Sequence, residues 1–282
     1  SGTKYPTTII YALLSGEEQG LHGGQILANW AEAQGFTVKA VLNNDIVGNS
    51  RGSDGLVDDG NVRVFSEGPR ADGDDKLRAQ ARRFGGENDS PSRNLSRYVN
   101  DVASTVPTGL NVRQVWRADR MGRGGDQLPF QEAGVPAIRF SVAIEDYDHQ
   151  HQDLRTEHGT VYGDTIEEMD FPYLARVTRL NIAVADRLAR APLPPVASAE
   201  AAVQTFTTVK WQPAAGATAY RVWRRRTDVR DWAEPVRIDD PAATSLKLDG
   251  VRGDDWLFGV SAIGADGTES PVSSAVPGGP FV

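Results

Sequence analysis

Two adjacent carboxylates, Glu17 and Glu18, stand in the run Ala12-Leu13-Leu14-Ser15-Gly16-Glu17-Glu18-Gln19-Gly20. Neighbouring carboxylates repel unless a cation or a shared proton compensates them. If one binds a metal and the other handles a proton, the pair can carry out metal-assisted hydrolysis. Further on stand Asp45, Asp126 and the cluster Asp146-Tyr147-Asp148-His149-Gln150-His151-Gln152-Asp153, which holds two of the chain's four histidines. Each group alone has an ordinary explanation. Glu17 and Glu18 suit a helix N-terminus, where the macrodipole favours acids. Asp45 suits a turn or an N-cap, and His149 and His151 suit an open loop. Taken together at one predicted sheet edge, they point to a metal site. His22 and His158 read as ordinary surface histidines, and Arg224-Arg225-Arg226 as a solvated strand end or turn.

The elements that must position these groups follow from periodicity. The apolar residues 7–14 predict a buried strand leading into Glu17. Residues 22–34 predict a helix with Ile26, Leu27, Trp30 and Ala31 on one face and Gly35 as its stop. Strands are predicted at 38–42, 62–65, 111–116 and 136–142, and helices at about 93–106, 127–134 and 171–188. This alternation implies an α/β unit with a mostly parallel sheet flanked by helices. Ligand sites in such sheets lie at the carboxyl ends of strands, where Glu17, Glu18 and Asp45 would stand. Ala191-Pro192-Leu193-Pro194-Pro195 reads as a linker. Beyond it, short strands at 209–211, 219–223, 245–248 and 256–262, with a hairpin turn at Gly264-Ala265-Asp266-Gly267, predict a small all-β sandwich. The predicted division is 1–190, a linker at 191–195, and 196–282.

Composition narrows the partners. With 30 basic and 38 acidic residues the net charge is -8, and the pI is about 5.1. That disfavours nucleic acid or an anionic membrane. The chain has no cysteine, so any metal must rest on His, Asp and Glu. No apolar run approaches the roughly 20 residues of a membrane span.

The order of these motifs resembles a known family. Ser15-Gly16-Glu17-Glu18-Gln19-Gly20-Leu21-x-Gly23, followed by Asn43-x-Asp45-Ile46-Val47-Gly48, is similar to the di-zinc aminopeptidases (the aminopeptidase Y and leucyl aminopeptidase-like zinc exopeptidases). Gly125-Asp126-Gln127-x-Pro129-Phe130-x-x-Ala133-Gly134-Val135-Pro136-Ala137 resembles their later Ser-Asp-His-x-Pro-Phe segment, with Gln127 where the family often has His. The loop Tyr147 to Asp153 agrees with their final His-containing loop. The resemblance covers 7–188.

It implies a zinc-exopeptidase fold and a peptide substrate. Glu17 would be the general base, Glu18 a ligand of one of two zinc ions, and Asp45 a ligand of the other. His151 is the first choice for the last ligand. His149 is its rival, because Asp153 lies four residues beyond it. Tyr147 would polarise the scissile carbonyl, and Asp126 would support the site or position substrate, with Asp153 beside the loop ligand.

The family's His-x-Asp strand end and bridging Asp lie upstream of the Gly-Glu-Glu segment. Here only Ser1 to Ser15 precede it, without His or Asp. The resemblance therefore implies that a second chain or fragment supplies those ligands, or that the piece is truncated and binds zinc poorly. It also implies export from a bacterial cell, to the periplasm or beyond. The alternatives are a glutaminyl-cyclase-like or carboxypeptidase-like enzyme of the same fold, or a non-catalytic binding protein. Residues 194–282 resemble a fibronectin type III module, through Trp211, Tyr220-x-Val222, Phe258-x-Val260-x-Ala262 and Asp266-Gly267-Thr268-Glu269-Ser270.

Overall fold

The computed structural model describes residues 4–276. A four-stranded sheet lies at the centre of the first unit, with β1 (Val41–Asn44), β2 (Asn61–Phe65), β3 (Asn111–Val115) and β4 (Ala137–Val142) in the spatial order β1-β4-β2-β3. β1 runs parallel to β4 and β2 parallel to β3, but β2 and β4 are antiparallel. The sheet is therefore mixed rather than mostly parallel. A parallel step needs a crossover, usually helical. The link from β1 to β2 contains no helix and brings the chain back in the opposite direction. The link from β2 to β3 carries α2 (Asp75–Phe84) and α3 (Pro91–Ala103), and those two strands are parallel.

β4 is buried along its whole length. Ile138, Phe140 and Val142 join Val62 and Val64 of β2 in a core with Leu95, Val99 and Val102 of α3. The same core takes Tyr173, Val177, Leu180, Val184 and Leu188 of the helix Phe171–Arg190, which recur at helical spacing. The opposite side of β4 presents Ala137 to Ala28 of α1 (His22–Ala33) and Phe130 of α4 (Leu128–Glu132). The last long helix, α5 (Phe171–Arg190), starts at Asp170, whose carboxylate accepts from the Tyr173 N–H at 2.9 Å.

Two local expectations fail. Residues 8–14 form no strand, and Ile10, Tyr11 and Leu13 are 53%, 87% and 103% exposed. β-propensity expresses itself only against a neighbouring strand, and none of the described strands pairs with this run. In α1 the buried residues are Gly24, Ala28 and Ala31, whereas Ile26 and Trp30 are exposed. The small residues line the side of α1 that packs against α4 and Ala137 of β4.

A two-stranded hairpin, β5 (Arg155–Glu157) and β6 (Thr160–Tyr162), precedes α5. The remaining strands are β7 (Ala197–Glu200), β8 (Phe206–Trp211), β9 (Ala217–Arg226), β10 (Ala233–Ile238), β11 (Ser245–Asp249), β12 (Trp256–Gly264) and β13 (Ser273–Ser274). They make two antiparallel sheets, β10-β9-β12-β13 and β11-β8-β7. Val209, Trp211, Tyr220, Val222, Phe258, Val260 and Ala262 fill the space between them. The turn after β12 is closed by Gly267 N–H donating to the Gly264 carbonyl. Among the described residues, no helix is long and apolar enough to cross a membrane.

Candidate active site

Glu17 and Glu18 lie in the turn that enters α1. The Glu17 carbonyl accepts from the Gly20 and Leu21 amides. Leu21 then takes a left-handed conformation, φ 59°, to start the helix. α1 is held at this point by Asp126, whose Oδ1 accepts from the Gly24 N–H at 3.1 Å. A Cβ on Gly24 would stand 2.6 Å from that oxygen, so only glycine permits the approach. Asp45 follows the last residue of β1, and Ile46 beyond it has φ 56°, an outlier for a β-branched residue.

These groups share one electrostatic field. Burial, followed by the charges of Asp45, Glu18 and Asp126, raises the Glu17 pKa, with the Arg139 guanidinium opposing. Asp126 is also raised, first by burial and then by Asp45, against its hydrogen bond from Gly24. Four carboxylates thus converge on one region, and the cation beside them is Arg139 of β4. Arg139 is fully buried, 3.0 Å from Asp45 Oδ2 and 3.2 Å from Asp119 Oδ2. It also donates to the Gly124 carbonyl at 2.6 Å. Asp119 accepts from Gln127 Nε2 at 2.5 Å, and Gln127 Oε1 accepts from Asn43 Nδ2 at 2.9 Å. Gln127 therefore braces the end of β1 from beneath.

The loop after β4 brings one histidine to the carboxylates. His151 Nδ1 faces Glu18 Oε1 at 3.6 Å, and its Nε2 lies 2.8 Å from the Arg123 guanidinium. Arg123 also donates to Glu145 Oε2 and Gln150 Oε1, each at 3.0 Å. Burial would raise the Glu145 pKa, but Arg63, Arg120 and Arg123 together lower it. His151 itself has φ 56°. Such strain persists only where the surroundings hold it, and it gathers at functional sites.

The other predicted site residues are placed differently. His149 faces Asp146 Oδ2 at 2.9 Å and Glu168 Oε1 at 3.6 Å. Tyr147 is exposed, and its backbone N–H donates to Ser53 Oγ at 2.6 Å. Asp153 is exposed and its carbonyl accepts from Arg155. His158 is exposed, as its ordinary reading implies.

Sequence reasoning missed Arg139, Asp119, Arg123 and Glu145. A signal for the first was present, because Arg139 interrupts the apolar run Ala137-Ile138-x-Phe140. A cation inside a buried strand needs an anionic partner.

A turn carrying paired glutamates, an aspartate at a strand end and a histidine in the loop after β4 together make a candidate metal-binding site. The profile of peptidase family M28 matches residues 1–184, and the chain belongs to that family. A probable zinc metalloprotease of Leptosphaeria maculans is 40% identical over 276 residues, 96% of this chain and 63% of that protein. Another, of Pyricularia oryzae, is 40% identical over 282 residues, 96% of this chain and 55% of that protein. The chain thus spans between about half and two-thirds of the length of these relatives. Among solved structures, a Fn3-like protein from Clostridium thermocellum covers 29% of this chain and 85% of its own, at 24% identity and a TM-score of 0.26.

Proposed function

We propose that the protein carrying this chain is a zinc-dependent exopeptidase, an aminopeptidase, that hydrolyses peptide bonds with Glu17 as general base. The observation that supports this most is the convergence of Glu17, Glu18, Asp45 and Asp126, with His151 turned toward Glu18. So much negative charge beside a histidine fits a cation, and a donor set of carboxylate and imidazole without thiolate fits zinc. Glu18 and His151 would hold one ion and Asp45 another, with further donors from outside this chain. Bound there, zinc would polarise the scissile carbonyl and ease ionisation of water.

The chain's own residues do the rest. Glu17, raised by burial and by its acidic neighbours, is a stronger proton acceptor than an open carboxylate, suited to take a proton from water and return it to the leaving amine. Arg139 holds Asp45 in place, and Gly24 with Asp126 fixes the turn that carries Glu17. Arg123 donates only, so its guanidinium would turn away from Nε2 of His151 when Nδ1 holds a metal.

Residues 1–190 would form the peptidase unit, 191–195 a linker, and 196–282 a fibronectin type III-like module that spaces or binds. An aminopeptidase requires a free amine on its substrate. Matched peptide substrates with free and acetylated N-termini, assayed with the zinc-loaded full-length protein, test this. Cleavage of the free form alone, abolished by chelation, is the expected result. Equal cleavage of the acetylated form would refute aminopeptidase action, and no hydrolysis of any peptide would refute the peptidase reading.

A further inference from the structure

Asp146, His149 and Glu168 each present one donor atom, all within 4.8 Å of one another. Their positions in the chain are informative. Asp146 opens the loop that follows β4, whereas Glu168 ends the short 3-10 turn Ile166–Glu168 just before α5. The three donors therefore join the two ends of one long segment. That segment carries Tyr147, His151 and the β5-β6 hairpin.

His149 Nδ1 is sealed from solvent and makes no hydrogen bond, although Asp146 Oδ2 is only 2.9 Å away. The carboxylate oxygen thus lies off the line of a ring N–H. A buried polar atom without a partner costs about 1–3 kcal/mol. A nitrogen and an oxygen held this close without a hydrogen bond between them are spaced much as two ligands of one ion. Zinc bonds of about 2.0–2.2 Å to N and O set neighbouring donors about 3.3 Å apart.

The surroundings keep the donors in place. Asp146 Oδ1 accepts from Ser53 Oγ and from the Asp148 N–H, both at 3.1 Å, so its other oxygen is the one turned to His149. On the far side, Asp170 N–H donates to the Gly48 carbonyl at 2.8 Å and its carboxylate accepts from Ser50 Oγ at 2.6 Å. Glu168 is anchored by this contact, two residues away in sequence.

We propose that Asp146, His149 and Glu168 form a divalent-cation site of the zinc class, separate from the group around Glu18 and Asp45. Its role is structural: the ion clamps the ends of the 146–170 segment and so holds the loop bearing His151 against the site. One imidazole with two carboxylates suits zinc or a neighbouring first-row ion better than calcium, which takes oxygen ligands.

The test is zinc bound per chain after dialysis against a chelator-buffered Zn²⁺ solution, for wild type, Glu168→Gln, Asp146→Asn and Glu18→Gln. Limited proteolysis between residues 146 and 170 is followed in the same samples. Glu168→Gln and Asp146→Asn are each expected to lose one equivalent and the zinc-dependent protection of the segment, while Glu18→Gln loses only the ion of its own site and keeps that protection. Wild-type zinc content in Glu168→Gln and Asp146→Asn would overturn the proposal, as would loss of the segment's protection in Glu18→Gln. The readout is independent of peptidase activity, so failure of the exopeptidase reading would leave this result interpretable.

Discussion

Arg139 is a charge with no access to water, and its value depends wholly on its partners. It neutralises Asp45 and Asp119, and burial would otherwise push the Asp119 carboxyl up; Arg139, Gln127 and Arg120 bring it down instead. Removing one member of a buried ion pair leaves the other uncompensated, at about 3–5 kcal/mol. Arg139→Met is therefore expected to lower the urea-unfolding free energy by about that amount. Glu67 shows the opposite case. Burial raises its carboxyl to about 7, against the Ala71 N–H that it accepts. For an acid raised in the folded state, no penalty exists while both states hold the proton. The penalty grows as pH rises through about 4.5 to about 7, reaching about 3 kcal/mol. Glu67→Gln keeps the acceptor for Ala71 and removes the charge. Its stability relative to wild type is expected to rise between about pH 4.5 and about pH 7 and then level off, as read from denaturant midpoints. A constant difference across that range would show that Glu67 does not titrate in this way. The paired glutamates and Asp45 could be found in the sequence because their order along the chain is distinctive. Glu67 could not, since its importance comes from burial, and Arg139 shows itself only as a break in the apolar run of β4.

Among the elements, α5 is readable from its sequence because five core residues recur at helical spacing over five turns. Its start is equally plain: Asp170 caps it, and Ser50 ties the cap to the β1–β2 link at 2.6 Å. Asp170→Ala loses both bonds and is expected to cost about 1–2 kcal/mol by thermal or chemical unfolding. The short α2 gave no such signal, because of its ten residues only Ala81 is buried. The run at 8–14 misled for the opposite reason. Its residues favour a strand, but strand formation depends on a neighbour. β7 and β10 escaped notice because half of β7 and nearly all of β10 are exposed, and their pairing is set by β8 and β9.

At the scale of the molecule, the helical unit and the sandwich meet across charge rather than grease. Asp89 is fully buried, 3.0 Å from Arg97 of α3 and 2.5 Å from Arg225 of β9. Trp232 Nε1 donates to Asn94, Arg97 to the Arg230 carbonyl and Tyr98 to the Glu269 carbonyl. Arg225, expected on sequence to be solvated with its neighbours, is 4% exposed, because it is the sandwich's half of this junction. Asp89→Ala would strand two buried guanidiniums, and a loss of about 3–5 kcal/mol is expected, with proteolysis between the units as a second readout. A sheet flanked by helices and the sandwich were foreseeable in outline from alternating periodicity, but the antiparallel step between β2 and β4 was not. The way the two units join was not, since a buried arginine and a surface arginine look alike in sequence.

The central claim is that Glu17 and Glu18 divide the chemistry, one moving the proton and the other holding the metal. Zinc content and kcat measured together on Glu17→Gln and Glu18→Gln in the full-length protein test it most directly. Glu17→Gln is expected to keep its zinc and lose about 10²–10⁴-fold in kcat, the usual worth of a general base, whereas Glu18→Gln loses zinc. Wild-type kcat in Glu17→Gln, or zinc lost from it in step with activity, would contradict the account.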